Sequence, residues 1–258
     1  MTPISASTVA SLRQRTGVSM MQCKKALEEV GGDEEQAIEI LKKSGEAQAV
    51  KKSARDQKEG LVFMAQEGNK AAILLLHCET DFVARNEDFQ KFGNELAEKL
   101  LNEGEDAVKS HAESVMSDVV QKLGENISLG ETKTVEAPVL GSYIHSNSKI
   151  AVAVGLNEGE QEIAKDVAMH AAAMNPIYKT PEDVEDSAVE AEKNIWKDQL
   201  KSEGKPEEIW DKIMMGKEKK FREENALVTQ EFVKEPGKLI SEHLGGATIV
   251  EYIRVSVE

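Results

Sequence analysis

The sequence predicts an α+β protein: three short N-terminal helices, a core in which one α+β unit with antiparallel strands occurs twice, and a helical hairpin inserted into the second copy. Three observations carry this. Apolar residues recur at helical spacing in short blocks before residue 45. After Gly60 the pattern changes to apolar strands separated by polar turns. The order of hairpin, helix and strand then recurs from Val139, with weak identity between the copies.

Val9 and Leu12 mark the first helix, which stops at Thr16-Gly17. Ser19 opens the second, and Gln22 three residues on completes a capping box, each side chain satisfying the other's free backbone N–H. Ala26, Leu27 and Val30 give its apolar face, and Gly31-Gly32 end it. Asp33 caps the third helix, with Gln36 at the same offset. Ala37, Ile38 and Leu41 form its stripe, and Gly45 stops it. Residues 1–45 thus read as a domain with a marginal core, whose exposed apolar face would serve binding. Residues 46–59, polar and basic, read as a helical or flexible linker.

Leu61 to Gln66 and Lys70 to Cys78 are strands joined by the turn Glu67-Gly68-Asn69. The second is apolar on both faces and is expected at the centre of a sheet. Phe89, Phe92, Leu96 and Leu100 define a helix, and another runs from Ala107 to Leu123. Gly124-Glu125-Asn126 ends that one, and a short strand starts over Ile127 to Leu129. In the second copy, Val139 to His145 and Lys149 to Leu156 flank the turn Ser146-Asn147-Ser148. Ile163, Val167, Ala171 and Met174 mark a helix, and Ile249 to Val257 is the closing strand. The halves of the core are then 60–138, and 139–180 with 226–258. Residues 181–225 interrupt the second half as a hairpin of coiled-coil character. Ala188, Ala191 and Ile195 fit one helix and Ile209, Ile213 and Phe221 the other, around Gly204-Lys205-Pro206. Trp196 and Trp210 pack across the hairpin or face a partner.

Composition bounds the function. With 40% hydrophobic residues in 258, the chain can bury a large core, and a net charge of −15 argues against direct nucleic-acid binding. Residues 1–58 carry +2 and the rest −17. The basic cluster Lys42, Lys43, Lys51, Lys52, Arg55 and Lys58 reads as a solvated linker, a short nucleic-acid contact being the alternative. No run approaches the roughly 20 apolar residues of a membrane helix. The N-terminus lacks a secretory pattern, so a cytoplasmic protein starting at Met1, without a membrane partner, is expected. Cys23 and Cys78 read as small half-buried hydrophobes, outside any disulfide framework.

No phosphate-binding GxxxxGK[ST], no GxGxxG after a strand and no GxSxG elbow occurs. His77, His111, His145, His170 and His243 show no metal-ligand spacing. No catalytic residue, metal or cofactor is therefore expected. Abundant carboxylates and His77 leave an unrecognised hydrolase or transferase as the enzymatic alternative. The segment that stands out is Thr80-Asp81-Phe82-Val83, between a buried strand and the helix starting near Glu87. A strand-to-helix connection is usually built of polar or turn residues. From the pattern alone, Phe82 either packs into its own core or is an aromatic anchor for a partner's pocket, with Asp81 adding charge there.

Thr80-Asp81-Phe82-Val83-Ala84-Arg85-Asn86 resembles the signature of the elongation factor Ts family. Leu12 to Gly17 and Met20 to Leu27 are similar to that family's N-terminal signature. Gly124-Glu125-Asn126-Ile127 and Gly141-Ser142-Tyr143-Ile144-His145 match further blocks, in the family's order over nearly the whole chain. The resemblance implies a guanine-nucleotide exchange factor for elongation factor Tu, binding it both GDP-bound and nucleotide-free. It implies that residues 1–45 are a ubiquitin-associated-like (UBA-like) domain docking through Arg13, Met20 and Met21 on the partner's nucleotide-binding domain. Two adjacent methionines at a helix start suit this, since both cannot face a small core. Thr80, Asp81, Phe82 and Val83 would lie beside the partner's magnesium site, with Phe82 wedged between helices and Asp81 disturbing the magnesium network. His145 would touch a β-barrel domain. The family's longer members extend beyond the closing strand, and contacts of that extension are not implied; some of its short members act as dimers, so the resemblance allows a homodimer without fixing the oligomeric state. The alternative reading is an adaptor that uses the three-helix domain to bind another protein.

Overall fold

Ser5, Ser19 and Asp33 each cap a helix in the computed structural model, which describes residues 4–257. Their side chains accept the N–H of Thr8, Gln22 and Gln36 at the starts of α1 (Ala6–Thr16), α2 (Met20–Glu29) and α3 (Glu34–Lys52). The boxes expected at Ser19 and Asp33 close by only half. Gln22 Oε1 accepts from the Ser19 hydroxyl at 2.9 Å, and Gln36 Nε2 donates to Asp33 Oδ2 at 3.2 Å, so both glutamines engage the cap's side chain instead of its N–H. Leu12, Cys23, Leu27, Ala37 and Leu41 form the bundle's core. Cys23 and Cys78 are fully buried, not half-buried as expected.

The third helix does not stop at Gly45 but continues to Lys52. A Cβ at Gly45 would lie 2.9 Å from Gln121 Oε1 and 3.3 Å from the Ser117 carbonyl. Glycine there permits the close crossing of two helices, and packing overrides its low helix propensity.

The core follows as β1 (Glu59–Glu67), β2 (Lys70–Cys78), α4 (Asp81–Ala84), α5 (Glu87–Glu103), α6 (Glu105–Leu123) and β3 (Ser128–Glu136). The second half has β4 (Val139–Ile144), β5 (Ile150–Leu156), α7 (Gln161–Met174), α8 (Asp186–Ser202), α9 (Trp210–Asn225), α10 (Ile240–His243) and β6 (Ile249–Ser256). Both sheets are antiparallel, ordered β1-β2-β3 and β4-β5-β6, so the duplicated pattern has a duplicated topology. β3 is longer than the short strand expected.

The sheets face each other. Val62, Ala71, Ile73 and Val135 of one meet Leu140, Ala151, Ala153 and Val255 of the other. Phe63, Leu74 and Leu76 point the opposite way, onto Phe89, Leu96 and Leu100 of α5 and Val108 and Val120 of α6. Val152, Val154 and Leu156 pack on Val167 and Ala171 of α7 and on Leu227, Phe232 and Ile240. The central strands are apolar on both faces because each lies between two layers. Each fully buried Leu or Ile contributes about 1.5–3 kcal/mol. Gly141 lets α7 approach β4, since a Cβ would come within 2.2 Å of the backbone at Ala164 and Lys165.

Two expected stripes shift. Met174 points outward from α7, whose buried face runs through Ala164, Val167, Ala168 and Ala171. On α8 the buried residues are Val189, Trp196 and Leu200, while Ala191 and Ile195 are exposed; Ile209 is exposed before α9. Trp196 and Leu200 pack on Met214, and Trp196 meets Phe221 edge-on at 5.9 Å between centroids. Trp210 Nε1 donates to the Lys205 carbonyl at 2.8 Å, so both tryptophans serve the hairpin itself. No described helix is long and apolar enough to cross a membrane.

Candidate functional site

Thr80 to Val83 forms a capped helical turn, not an open loop. Thr80 Oγ1 accepts the Val83 N–H at 3.4 Å, the Ala84 N–H donates to the Thr80 carbonyl at 3.2 Å, and the Arg85 N–H donates to that of Asp81 at 3.1 Å. A single turn is unstable alone, because nucleation fixes several dihedrals for one hydrogen bond. It is held by Val83 and Ala84 in the core and by a distant carboxylate. Glu125 Oε2 accepts the N–H groups of Glu79 and Thr80, both at 3.0 Å, and Oε1 accepts the Thr80 hydroxyl at 2.6 Å. The clamp is reciprocal: Glu79 Oε1 accepts the Asn126 N–H at 2.6 Å and lies 3.3 Å from Arg55 Nη1. Asn126 Nδ2 donates to the Arg55 carbonyl at 2.9 Å.

This geometry sorts the side chains of the turn. Val83 and Ala84 enter the core beneath α5. Phe82 points outward and is 81% exposed, which removes the reading in which it packs into its own core. Asp81 pairs with Arg85 Nη2 at 2.9 Å, between two well-exposed side chains, so the pair contributes little and opens easily. The Cys78 thiol donates to the Thr80 carbonyl at 3.2 Å. Burial, reinforced by Glu125 and Glu59, pushes its pKa up to about 12, so it stays a protonated structural group.

Met20 and Met21 are both exposed, at 40% and 76%. Arg13 and Met20 line a groove with Gln14, Gly17, Asp88 and Lys122. Lys122 Nζ meets Asp88 Oδ1 at 2.7 Å, linking the end of α6 to the start of α5, just after the Phe82 turn. Arg13 and Met20 thus share a groove with the start of α5, the helix that follows the turn. His145 lies elsewhere, after β4 on the other sheet, where the Tyr143 hydroxyl is 3.2 Å from its Nδ1.

A family model described as elongation factor TS matches residues 79–258, from the residue just before the turn onward. Proteins named elongation factor Ts match the chain along its length. That of Marinobacter nauticus is 44% identical, the alignment covering 100% of this chain and 92% of the relative. That of Teredinibacter turnerae is 45% identical over 98% and 90%. That of Christiangramia forsetii is 41% identical over 100% of both. The chain belongs to the elongation factor Ts family. A role in translation elongation follows from membership, and every sequence block that suggested the family has a place in the fold. Glu125 is the site residue that sequence reasoning missed. Its available signal was a carboxylate standing between a helix-ending glycine and a strand, inside a block whose purpose the sequence left open.

Proposed function

We propose that this chain is a guanine-nucleotide exchange factor that binds elongation factor Tu carrying GDP, promotes GDP release, and performs no covalent chemistry. The observation that carries the reading is an aromatic ring 81% exposed on a turn whose backbone is tied to another element. An exposed, pre-positioned aromatic is what an interface anchor requires. Phe82 enters between helices of the partner, and Asp81, freed from Arg85, disturbs the network that orders the partner's magnesium ion. Magnesium bridges the nucleotide phosphates to that protein, so its displacement loosens GDP. By linkage, factor and nucleotide weaken each other's binding by the same ratio. GTP then expels the factor. Arg13, Met20 and Met21 dock on the nucleotide-binding domain and His145 on a β-barrel domain.

The direct test mixes elongation factor Tu, loaded with fluorescent GDP, with rising concentrations of this chain. Release accelerates and saturates; no acceleration at any concentration sinks the reading. The exposure of Met21 favours one second reading, an adaptor acting through the three-helix bundle. Met21-dependent capture of a different protein, without accelerated GDP release, would select it.

A further inference from the structure

We infer that Glu125 is a positioning residue for nucleotide exchange: it sets the attitude of the Thr80–Ala84 turn and thereby the direction in which Phe82 projects. The functional half of this rests on the exchange reading above; the structural half does not.

Phe82 cannot orient itself, because its ring makes little contact with its own chain. The turn is too short to hold its shape by internal hydrogen bonds. Val83 and Ala84 fix one side of it in the core. Glu125 fixes the entry side, restraining both backbone N–H groups that precede α4. It also acts through a relay. The Thr80 hydroxyl donates to Glu125 Oε1, which turns its lone pair toward the Val83 N–H, the peptide adjoining Phe82. Glu125 is itself held, between the left-handed Gly124 that ends α6 and the Asn126 N–H bound by Glu79. The result is a two-way clamp between residues 79–80 and 125–126. A wedge on a loose tip would have to be ordered on binding, and that cost is avoided when the turn is set in advance. This gives the 124–127 block a function.

The experiment compares the wild-type chain, Glu125→Gln, Glu125→Ala, Phe82→Ala and the double variant Glu125→Gln/Phe82→Ala. GDP release from elongation factor Tu is measured across chain concentrations. Glutamine keeps the shape of the side chain but loses one acceptor oxygen. It should lower the saturating rate about tenfold, the worth of one charge-assisted hydrogen bond. The half-saturating concentration should move by less than about twofold, since the docking surface is intact. A purely structural role predicts a lower melting temperature with an unchanged saturating rate, which overturns the proposal. The double variant should be no slower than Phe82→Ala, because both changes act through one ring. Multiplied losses overturn it as well.

Hydrogen exchange supplies the readout that needs no partner. In Glu125→Gln the Glu79 and Thr80 amides should exchange about tenfold faster, while those of Ala72 and Leu74 in β2 keep their protection. Unchanged protection at Thr80 overturns the proposal whatever the kinetics. If the wild-type chain fails to release GDP, the exchange reading falls, and hydrogen exchange still decides whether Glu125 sets the turn. Should Glu125→Ala fail to fold, the glutamine variant carries both arms.

Discussion

The two halves of the core solve one connection in different ways. In each, the chain leaves the central strand, enters a helix, and is tied at that point to the residues just before the third strand. In the first half Glu79 and Thr80 bind Glu125 and Asn126, ahead of β3. In the second, Asn157 Oδ1 accepts the Thr248 N–H at 2.7 Å and its own N–H donates to the Thr248 carbonyl at 3.1 Å, ahead of β6. The tie is common to both; the contents of the connection are not. Residues 157–160 are Asn-Glu-Gly-Glu, all exposed and polar, whereas residues 79–86 hold a helical turn with an outward phenylalanine. A duplicated scaffold therefore offers two equivalent positions, and only one carries an exposed phenylalanine. On the proposed exchange reading, function is an addition at one of two equivalent positions of the fold.

The contrast can be broken at its aromatic residues. Phe89 and Phe82 lie seven positions apart, one fully buried and one exposed. Phe89→Ala should cost about 3–5 kcal/mol of stability in urea unfolding, through lost burial and the cavity left behind. Phe82→Ala should leave stability within about 0.5 kcal/mol, as an exposed substitution does. It should nevertheless slow saturated GDP release by about 2–4 kcal/mol in barrier, roughly 30- to 1000-fold. Glu158→Ala, in the matching connection of the second half, should change neither quantity by more than about 0.5 kcal/mol. If Phe82→Ala destabilised the chain as Phe89→Ala does, the distinction between wedge and scaffold would fail.

Much of this architecture was legible in the sequence because burial leaves a periodic trace. The unbroken apolar run Ala71 to Leu76 announced a central strand, and the central strand is what it forms. What stayed hidden depends on contacts between distant segments. Gly45 looked like a helix stop, yet it is a crossing point, because the helix it meets begins sixty residues later. In α8 several helical spacings coexist, and which of them is buried depends on where Met214 and Phe221 of α9 arrive. For Phe82 the pattern allowed burial or exposure equally; the clamp from Glu125, far along the chain, decides it. The turn's motif was readable, and the residue that orients it was not.

The N-terminal bundle offers a smaller effect, which separates docking from the wedge. Met21 is exposed and stands outside the bundle's core. Met21→Ala should raise the half-saturating concentration about fivefold, near 1 kcal/mol, the typical size of a peripheral interface contact. The saturating rate should hold. A lowered saturating rate would mean that the bundle takes part in the exchange step itself.

The smallest effect distinguishes the halves by pH. His170 is fully buried on α7, with Nε2 3.0 Å from Gln230 Oε1 and Nδ1 accepting the Val233 N–H at 3.2 Å. That acceptance requires an unprotonated Nδ1, so the partners assign the hydrogen to Nε2. Burial lowers the pKa of His170 below the usual 6.5, against a smaller opposing contribution from Gln230. The unfolded chain therefore takes up the proton first. The stability linked to His170 is complete above pH 6.5 and is lost as pH falls through the depressed folded value. His77, in the first half, is lowered by burial too, but it is only partly buried and sits at the end of β2. The urea midpoint should accordingly fall between pH 7.5 and pH 5.5, and His170→Gln should flatten that slope more than His77→Gln does. Equal flattening would place the linkage in both halves. A steeper slope in His170→Gln would show that its proton is bound in the folded state, and the hydrogen bond to Val233 would then have to be reassigned.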